Sequence, residues 1–201
     1  MGFLQELREQ RWDDHRYYHH NRINQSLHLF SAICFLSAYV LVFTNPVAAA
    51  LIGWLLAMTS RQIGHFFFEP KGYDHVNHAT HEHKEAIKVG YNLYRKVILL
   101  SIWGLSPLIL YIDPTLFGLF EPHVDTYGFV HNLSLLWIWL GLGAVLFRSI
   151  QLFFKSGIQT GLAWSAKILT DPLHDIWLYH KAPVYVLRGQ LYDPIGSPER
   201  G

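Results

Sequence analysis

The chain has 201 residues, which is enough for one domain or one small helical bundle. Hydrophobic residues make up 51% of it and charged residues 15%, whereas ordinary soluble domains carry about 25% charged residues. This composition favours a membrane protein. The single cysteine, Cys34, excludes a disulfide framework and a cysteine-ligated zinc or iron–sulfur site. The formal net charge of +1 argues against a strongly basic nucleic-acid-binding protein.

Four apolar runs predict membrane-spanning helices, because about 20 mostly apolar residues cross a bilayer as a helix. The runs cover residues 27–43, 47–59, 97–112 and 129–147. The second run is short, so we expect its helix to continue through His65, and the third is expected to begin near Leu93. A fifth segment, 150–168, carries lysines and glutamines and predicts an interfacial helix. The sequence therefore predicts an all-α integral membrane bundle of four transmembrane helices plus an interfacial helix.

Lysine and arginine are confined to one side of this bundle. The links at 44–46 and 113–128, which would share one face of the membrane, contain neither residue type. All sixteen lie in the N-terminal segment, in 61–96 or after Phe147. Because positively charged loops stay in the cytoplasm, both termini and the central loop are predicted to be cytoplasmic. We favour a bacterial inner membrane, or the endoplasmic reticulum if the chain is eukaryotic.

Histidine is unusually frequent, and 11 of the 13 histidines lie on the predicted cytoplasmic side. Most of these fall into three groups with helical spacing. The groups are His15, His19 and His20 followed by Asn24 and His28; His65 with Glu69; and His75, His78, His81 and His83 with Glu82 and Glu85. Residues four apart share one helix face, so His20, Asn24 and His28 are expected to form one stripe.

Such groups are typical of a metal site. Imidazole suits iron, zinc and copper, and ionisable groups at a membrane boundary are unfavourable unless they are paired or used. We predict His19, His28 and His65 as metal ligands, with His78 and His81 as further candidate ligands. Nearby amides and carboxylates are expected to orient the imidazoles, and these are Asn24, Glu69, Glu82 and Glu85. The alternative is that these histidines are ordinary core residues or lie in a solvated loop.

The chain is predicted to form a single membrane domain over residues 1–201. Within it, 1–26 form a cytoplasmic N-terminal segment and 27–112 the spans that carry the metal site. Residues 113–201 supply the last span, the interfacial helix and a tail. The tail at 192–201 is rich in proline and glycine and is expected to be a loose end.

Two motifs on either side of the first apolar run resemble a known enzyme family. They are Tyr18-His19-His20-Asn21-x-x-Asn24-x-x-Leu27-His28 and Arg61-Gln62-Ile63-Gly64-His65-x-x-Phe68-Glu69. Their pattern is similar to that of the membrane 2-hydroxy fatty acid dioxygenases, the fungal endoplasmic-reticulum fatty acid α-oxidation enzyme and its bacterial relatives. The similarity covers roughly residues 15–112. Arg22 stands where relatives often have proline, and 71–85 and the region after Tyr127 have no counterpart in the pattern.

The resemblance implies an Fe(II)-dependent enzyme that uses dioxygen to remove one carbon from a 2-hydroxy fatty acid. It implies His19, His28 and His65 as iron ligands. It also implies Asn24 and Glu69 as catalytic residues that support them. The partners are then a fatty-acid or 2-hydroxy fatty acid substrate, dioxygen and membrane lipid, without nucleic acid. The oligomeric state stays open.

Two other functions also remain open. The spacing His15-x3-His19-His20 resembles the histidine boxes of membrane di-iron lipid hydroxylases and desaturases, which take reducing equivalents from a partner. The other alternative is a non-enzymatic metal-binding membrane protein or a transporter. The interiors of the four apolar runs are almost free of ionisable residues, which argues against a conduction path.

Overall fold

The computed structural model describes residues 2–69 and 71–194, and these form helices joined by short links. The helices within this part of the chain are α1 Phe3–Tyr18, α2 Arg22–Leu41, α3 Pro46–Phe68, α4 His81–Ile87, α5 Leu93–Ile112, α6 Thr126–Ser156, α7 Ile158–Tyr179 and α8 Ala182–Leu187. The described residues contain two isolated β-bridges but no strand. The predicted all-α class is thereby confirmed.

Four of these helices, α2, α3, α5 and α6, are long and apolar enough to cross a membrane. This number agrees with the four spans predicted from the apolar runs. The second helix continues through His65 to Phe68, and the third begins at Leu93, as expected. The first begins at Arg22, five residues before the apolar run, because Asn21 caps it there.

The helix starts are determined by local capping. Five helices have a capping residue directly before their first residue. The side-chain oxygen of this residue accepts a hydrogen bond from the backbone N–H two or three residues later. The capping residues and their donors are Asn21 and Ile23, Asn45 and Ala48, Thr80 and His83, Asn92 and Arg95, and Asp125 and Gly128. Such caps satisfy backbone donors that the first helical turn leaves without an intrahelical partner.

The predicted interfacial segment at 150–168 is not one helix. The apolar helix α6 continues to Ser156, and α7 begins at Ile158. Gly157 separates them with a φ of 102°, a backbone conformation that glycine adopts at little cost. The span predicted from the apolar run ended at Phe147, which is too early. The polar side chains that follow Phe147 do not interrupt the helix.

Three tryptophans join the membrane-crossing helices. The rings of Trp54 on α3 and Trp103 on α5 stack with their centroids 5.5 Å apart. The indole N–H of Trp54 donates to the Trp137 carbonyl of α6 at 2.8 Å. Trp137 in turn donates its indole N–H to the Ser106 hydroxyl at 2.9 Å. These contacts hold together α3, α5 and α6, three of the four candidate membrane-spanning helices.

Helix α7 packs against α1, α2 and α6. Its approach to α6 requires a small residue at Gly161, because a Cβ atom there would lie 2.8 Å from the Ser149 carbonyl oxygen. Pro172 lies inside the same helix and is buried. α7 therefore forms a layer against the end of the bundle at which α1 meets α2.

The start of the predicted tail is held in place, so the expectation of a loose end is wrong for residues 192 and 193. The backbone N–H of Arg22 donates to the Leu191 carbonyl at 2.9 Å, and that of Asp193 donates to the His20 carbonyl at 2.9 Å. The Asp193 carboxylate also accepts from Arg22 at 3.2 Å and from Gln25 at 3.0 Å. Residues 195–201 of that prediction lie outside the described part of the chain.

Asp193→Ala should lower the stability of the folded protein. The substitution leaves the buried Arg22 and Gln25 side chains without their carboxylate partner, which should cost about 1–2 kcal/mol. Thermal unfolding in detergent measures the effect. Glu121→Ala removes an exposed carboxylate and is the matched control. An unchanged melting temperature for Asp193→Ala would show that the contacts of Asp193 with Arg22 and Gln25 do not stabilise the fold.

Candidate metal centre

Three histidines that are far apart in the sequence meet at one point. One ring nitrogen from each of His19, His28 and His65 lies within 4.8 Å of the others. The Nε2 atoms of His19 and His28 face each other at 3.2 Å. The ring centroid of His65 lies 5.3 Å from the ring centroid of His19 and 5.0 Å from that of His28. Three imidazoles with converging nitrogens are a donor set suited to a divalent transition metal.

The break between α1 and α2 places the first of these ligands. His19 follows the last residue of α1 and is only 3% exposed. The side-chain amide of Asn24 donates to the Tyr18 carbonyl at 2.9 Å, and that of Gln25 donates to the His19 carbonyl at 2.8 Å. These two amides bind the end of α1 to the first turn of α2. His28, one turn after Asn24, is then brought opposite His19.

The approach of α3 to α2 depends on Gly64. A Cβ atom at this position would overlap the side-chain oxygen of Asn24 and lie 3.6 Å from Cδ2 of His28. Gly64 is buried and begins a π-helical segment, Gly64–Phe68, that carries His65. π-Helical turns are rare in proteins and are often found at functional sites. Glycine at 64 therefore lets the backbone of α3 come close enough for His65 to reach the other two imidazoles.

Two carboxylates lie behind the imidazoles. The Nδ1 atom of His65 is 2.7 Å from Oε2 of Glu69, which fixes the proton on Nδ1 and leaves Nε2 free for a metal. Nδ1 of His28 is 3.6 Å from Oδ2 of Asp175 and has no hydrogen-bond partner among the described residues. His28 is fully buried, so this nitrogen faces the Asp175 carboxylate without access to bulk water.

A chain of ion pairs surrounds the centre. Arg61 on α3 contacts Asp175 at 3.1 Å, and Lys167 contacts Asp171 at 2.7 Å. Lys167 also contacts Asp14 on α1. The chain links α1, α3 and α7, so the helix α7 is tied by charge to the two helices beside the histidines. Buried pairs of this kind are weak sources of stability but are costly to break on one side.

Burial shifts the pKa of three groups that lie beside the centre and outside the candidate membrane-spanning helices. Burial, together with the neighbouring His28, lowers the pKa of His19 well below its ordinary value, so this imidazole is neutral and able to bind a metal. Burial also raises the pKa of the Tyr179 hydroxyl well above its ordinary range, which keeps it protonated. It raises the pKa of the Asp175 carboxyl as well, against the opposing effect of Arg61.

The structure does not bring every predicted ligand to this point. His78 is exposed in a turn, with a positive φ of 50°, and His81 is the half-buried first residue of α4. Neither belongs to the three-histidine group, and their role as ligands stays a prediction. The expected stripe of His20, Asn24 and His28 is wrong, because the chain breaks between α1 and α2. His20 instead faces Asp74 at 3.9 Å.

Of the four residues predicted to orient the imidazoles, Asn24 and Glu69 lie at the centre, whereas Glu82 is exposed and Glu85 contacts Lys88 and the backbone of Leu93. Asn24 is fully buried, bonded to the Tyr18 carbonyl, and its side-chain oxygen packs on Gly64. Glu69 binds His65 and also contacts Lys88 at 3.3 Å. Asn24 thus holds helices together, whereas Glu69 acts directly on a ligand. Their catalytic roles stay a prediction.

The sequence analysis missed the contribution of α7. A polar stripe on this helix faces the histidines, and its members are Lys167, Asp171, Asp175 and Tyr179. The ring of Tyr179 lies 6.0 Å from that of His19. The signal was present as four residues spaced four apart, since such residues share one helix face. It was overlooked because the predicted interfacial segment ended at residue 168, so that only Lys167 of the four was assigned to a helix.

In comparisons with protein families, curated proteins and solved structures, the chain had no match. A functional assignment therefore depends on the chemistry of the centre and on the two motifs that supply its histidines. The fit to a metal is supported by the three converging imidazoles, in which Nε2 of His28 faces Nε2 of His19. Carboxylates face the opposite ring nitrogens of His65 and His28.

Gly64→Ala should weaken metal binding and destabilise the fold. The added methyl group forces α3 away from Asn24 and His28, which should cost about 1–3 kcal/mol. Metal affinity, titrated with Co²⁺ as a spectroscopic probe, should fall about 10- to 100-fold. Gly143→Ala on α6 is the matched control, because a Cβ atom there meets nothing within 4 Å. Equal Co²⁺ affinities for the two variants would contradict the role given to Gly64.

Proposed function

We propose that this chain is an iron(II)-dependent membrane oxygenase that acts on fatty acids. The most specific form of the proposal is dioxygenase cleavage of 2-hydroxy fatty acids to acids one carbon shorter. The observation that carries it is the buried group of His19, His28 and His65, whose ring nitrogens lie within 4.8 Å of one another. The resemblance of the two histidine motifs to the membrane 2-hydroxy fatty acid dioxygenases supports the choice of metal and substrate.

The proposal includes the side of the membrane on which the centre lies. The distribution of lysine and arginine favours cytoplasmic termini, and the histidine centre then lies at the cytoplasmic boundary. In that arrangement α1 and α7, which are not among the candidate spans, cover the centre at the membrane surface, and α7 is the interfacial helix.

The residues around the centre have separate tasks. His19, His28 and His65 would hold the iron. Bound Fe(II) would supply the one-electron redox chemistry that a reaction with triplet dioxygen requires. Glu69 accepts the Nδ1 proton of His65 and so keeps its other nitrogen available. Asp175 faces Nδ1 of His28 and favours a proton there for the same reason.

The source of the electrons that reduce dioxygen distinguishes this reaction from other oxygenase chemistry. A 2-hydroxy acid and one dioxygen have the composition of the shortened acid, carbon dioxide and water. The substrate supplies all four electrons that dioxygen accepts, so no external reductant is needed. Di-iron hydroxylases and desaturases draw two electrons from a partner protein, and the need for a reductant therefore separates the two classes.

Purified protein should contain about one iron per chain, and His28→Ala should lose it while remaining in the membrane. His28 is fully buried and contributes a facing nitrogen, so its removal leaves two imidazoles. Elemental analysis of untagged protein, purified without chelators, measures the metal. His83→Ala, which removes an exposed histidine outside the group, should keep its iron. Equal iron in both variants, or no iron after anaerobic Fe²⁺ loading, would rule out this centre.

Iron-loaded protein should consume dioxygen and release carbon dioxide when given 2-hydroxypalmitate alone. The expected yield is one pentadecanoate and one carbon dioxide per dioxygen, measured by mass spectrometry and an oxygen electrode. Palmitate, which lacks the 2-hydroxyl, should give no carbon dioxide. Turnover that requires an added electron donor would point to the di-iron class instead. Iron binding without turnover under either condition would leave a metal-binding membrane protein.

A further inference from the structure

A cavity of about 170 Å³ lies beside the histidine centre, between α1, α3, α5 and α7. His65 forms part of its wall, so the cavity is next to the proposed metal. The apolar residues of its wall include Met58, Ile87, Leu99, Leu100, Trp164 and Ile168. A cavity lined by both apolar and charged side chains suits a molecule that has an alkyl chain and a polar head.

Four cationic side chains line this cavity, and three of them have carboxylate partners among the described residues. Arg61 contacts Asp175 at 3.1 Å, and Lys167 contacts Asp171 at 2.7 Å. Lys88 contacts Glu69 at 3.3 Å. The acids that line the cavity are also in ion pairs, Asp13 with Arg16, and Asp14 and Asp171 with Lys167.

Lys96 is the exception. Among the described residues, no carboxylate oxygen lies within 4.0 Å of its ammonium nitrogen and no hydrogen bond is made to it. Glu69 and Glu85 act on it only at longer range. Glu69 is held by Lys88, and Glu85 accepts the backbone N–H of Leu93 at 2.7 Å. Lys96 and His65 line this cavity together and also share the wall of a second, smaller cavity.

We propose that Lys96 binds the carboxylate of a single-chain fatty acid, with the alkyl chain against the apolar wall of the cavity. This inference rests on the proposed function and extends it by naming the residue that recognises the acid group. A half-buried ammonium group without a counter-ion is unfavourable, and a carboxylate would supply both charge and hydrogen-bond acceptors.

The position of Lys96 determines the orientation of the bound fatty acid in the cavity. The carboxylate end of the substrate is held at the wall that also carries His65, so the carbon atoms next to it lie toward the proposed metal. The alkyl chain extends away along Leu99, Leu100 and Met58, on the membrane-crossing helices α5 and α3. Lys96 is thus a substrate-binding residue, and it selects acids over alcohols and esters of the same chain length.

Direct binding to iron-free, full-length protein in detergent tests the inference without turnover. Radiolabelled palmitate and hexadecanol, which share one chain but differ in charge, are titrated at pH 8. Palmitate should bind the unmodified protein about tenfold more tightly than hexadecanol, and Lys96→Met should abolish that difference. Lys96→Arg, which keeps the charge, should restore most of it. Lys155→Met, which removes an exposed lysine, should behave like the unmodified protein.

The outcomes distinguish this inference from the proposed function. A palmitate preference that depends on Lys96 supports the inference even if the protein never consumes dioxygen. If turnover of 2-hydroxypalmitate occurs and Lys96→Met changes neither KM nor palmitate binding, the inference is overturned while the enzyme remains. Displacement of palmitate by phosphatidylglycerol, with Lys96→Met losing the phospholipid rather than the fatty acid, would overturn it in favour of a headgroup site.

Discussion

The contact between Gly64 and Asn24 is the constraint on which the centre depends. Asn24 uses its amide N–H to hold the end of α1 and turns its side-chain oxygen toward the backbone of α3. One side chain therefore positions three helices. α1 ends directly before His19, α2 carries His28 and α3 carries His65. A residue larger than glycine at 64 would separate α3 from the other two. The convergence of His19, His28 and His65 is a consequence of this packing more than of the histidines themselves.

Electrostatics around the centre follow from the same packing. Three imidazoles lie close together, and the charges that surround them are arranged in pairs, two of which join different helices. The pairs belong to α1, α3 and α7, so they also fix the layer that covers the histidines. Because each carboxylate near the imidazoles is shared with an arginine or lysine, the site carries little net negative charge. A metal there would depend on the imidazoles for its affinity.

Periodicity and composition were sufficient to predict the helical class and the four candidate spans, and they supplied five candidate histidine ligands. They could not show which histidines meet, because that depends on the break after Tyr18 and on the angle between α2 and α3. His20 and His78 have the same residue type and similar spacing, yet local breaks in the helices turn them elsewhere.

The role of α7 was less accessible. Its polar stripe is visible in the sequence, but the same stripe is expected for a helix at a membrane surface. Only the packing of α7 against α1 and α2 shows that Asp171 and Asp175 are buried. The tail shows a similar limit, since Asp193 is held by residues about 170 positions earlier. Such long-range contacts have no signal in local composition.

The helix α3 has two π-helical segments, Ile52–Met58 and Gly64–Phe68. In a π-helix the hydrogen bond skips one more residue than in an α-helix, so each segment changes the angular phase of the helix beyond it. Trp54 packs toward Trp137 near the first segment, whereas Gly64 must face Asn24 at the second. The relative angle of these two faces depends on the number of residues between them. Each inserted or deleted residue would rotate the histidine motif by about 100°. This stretch should therefore tolerate changes in side chain far better than changes in length.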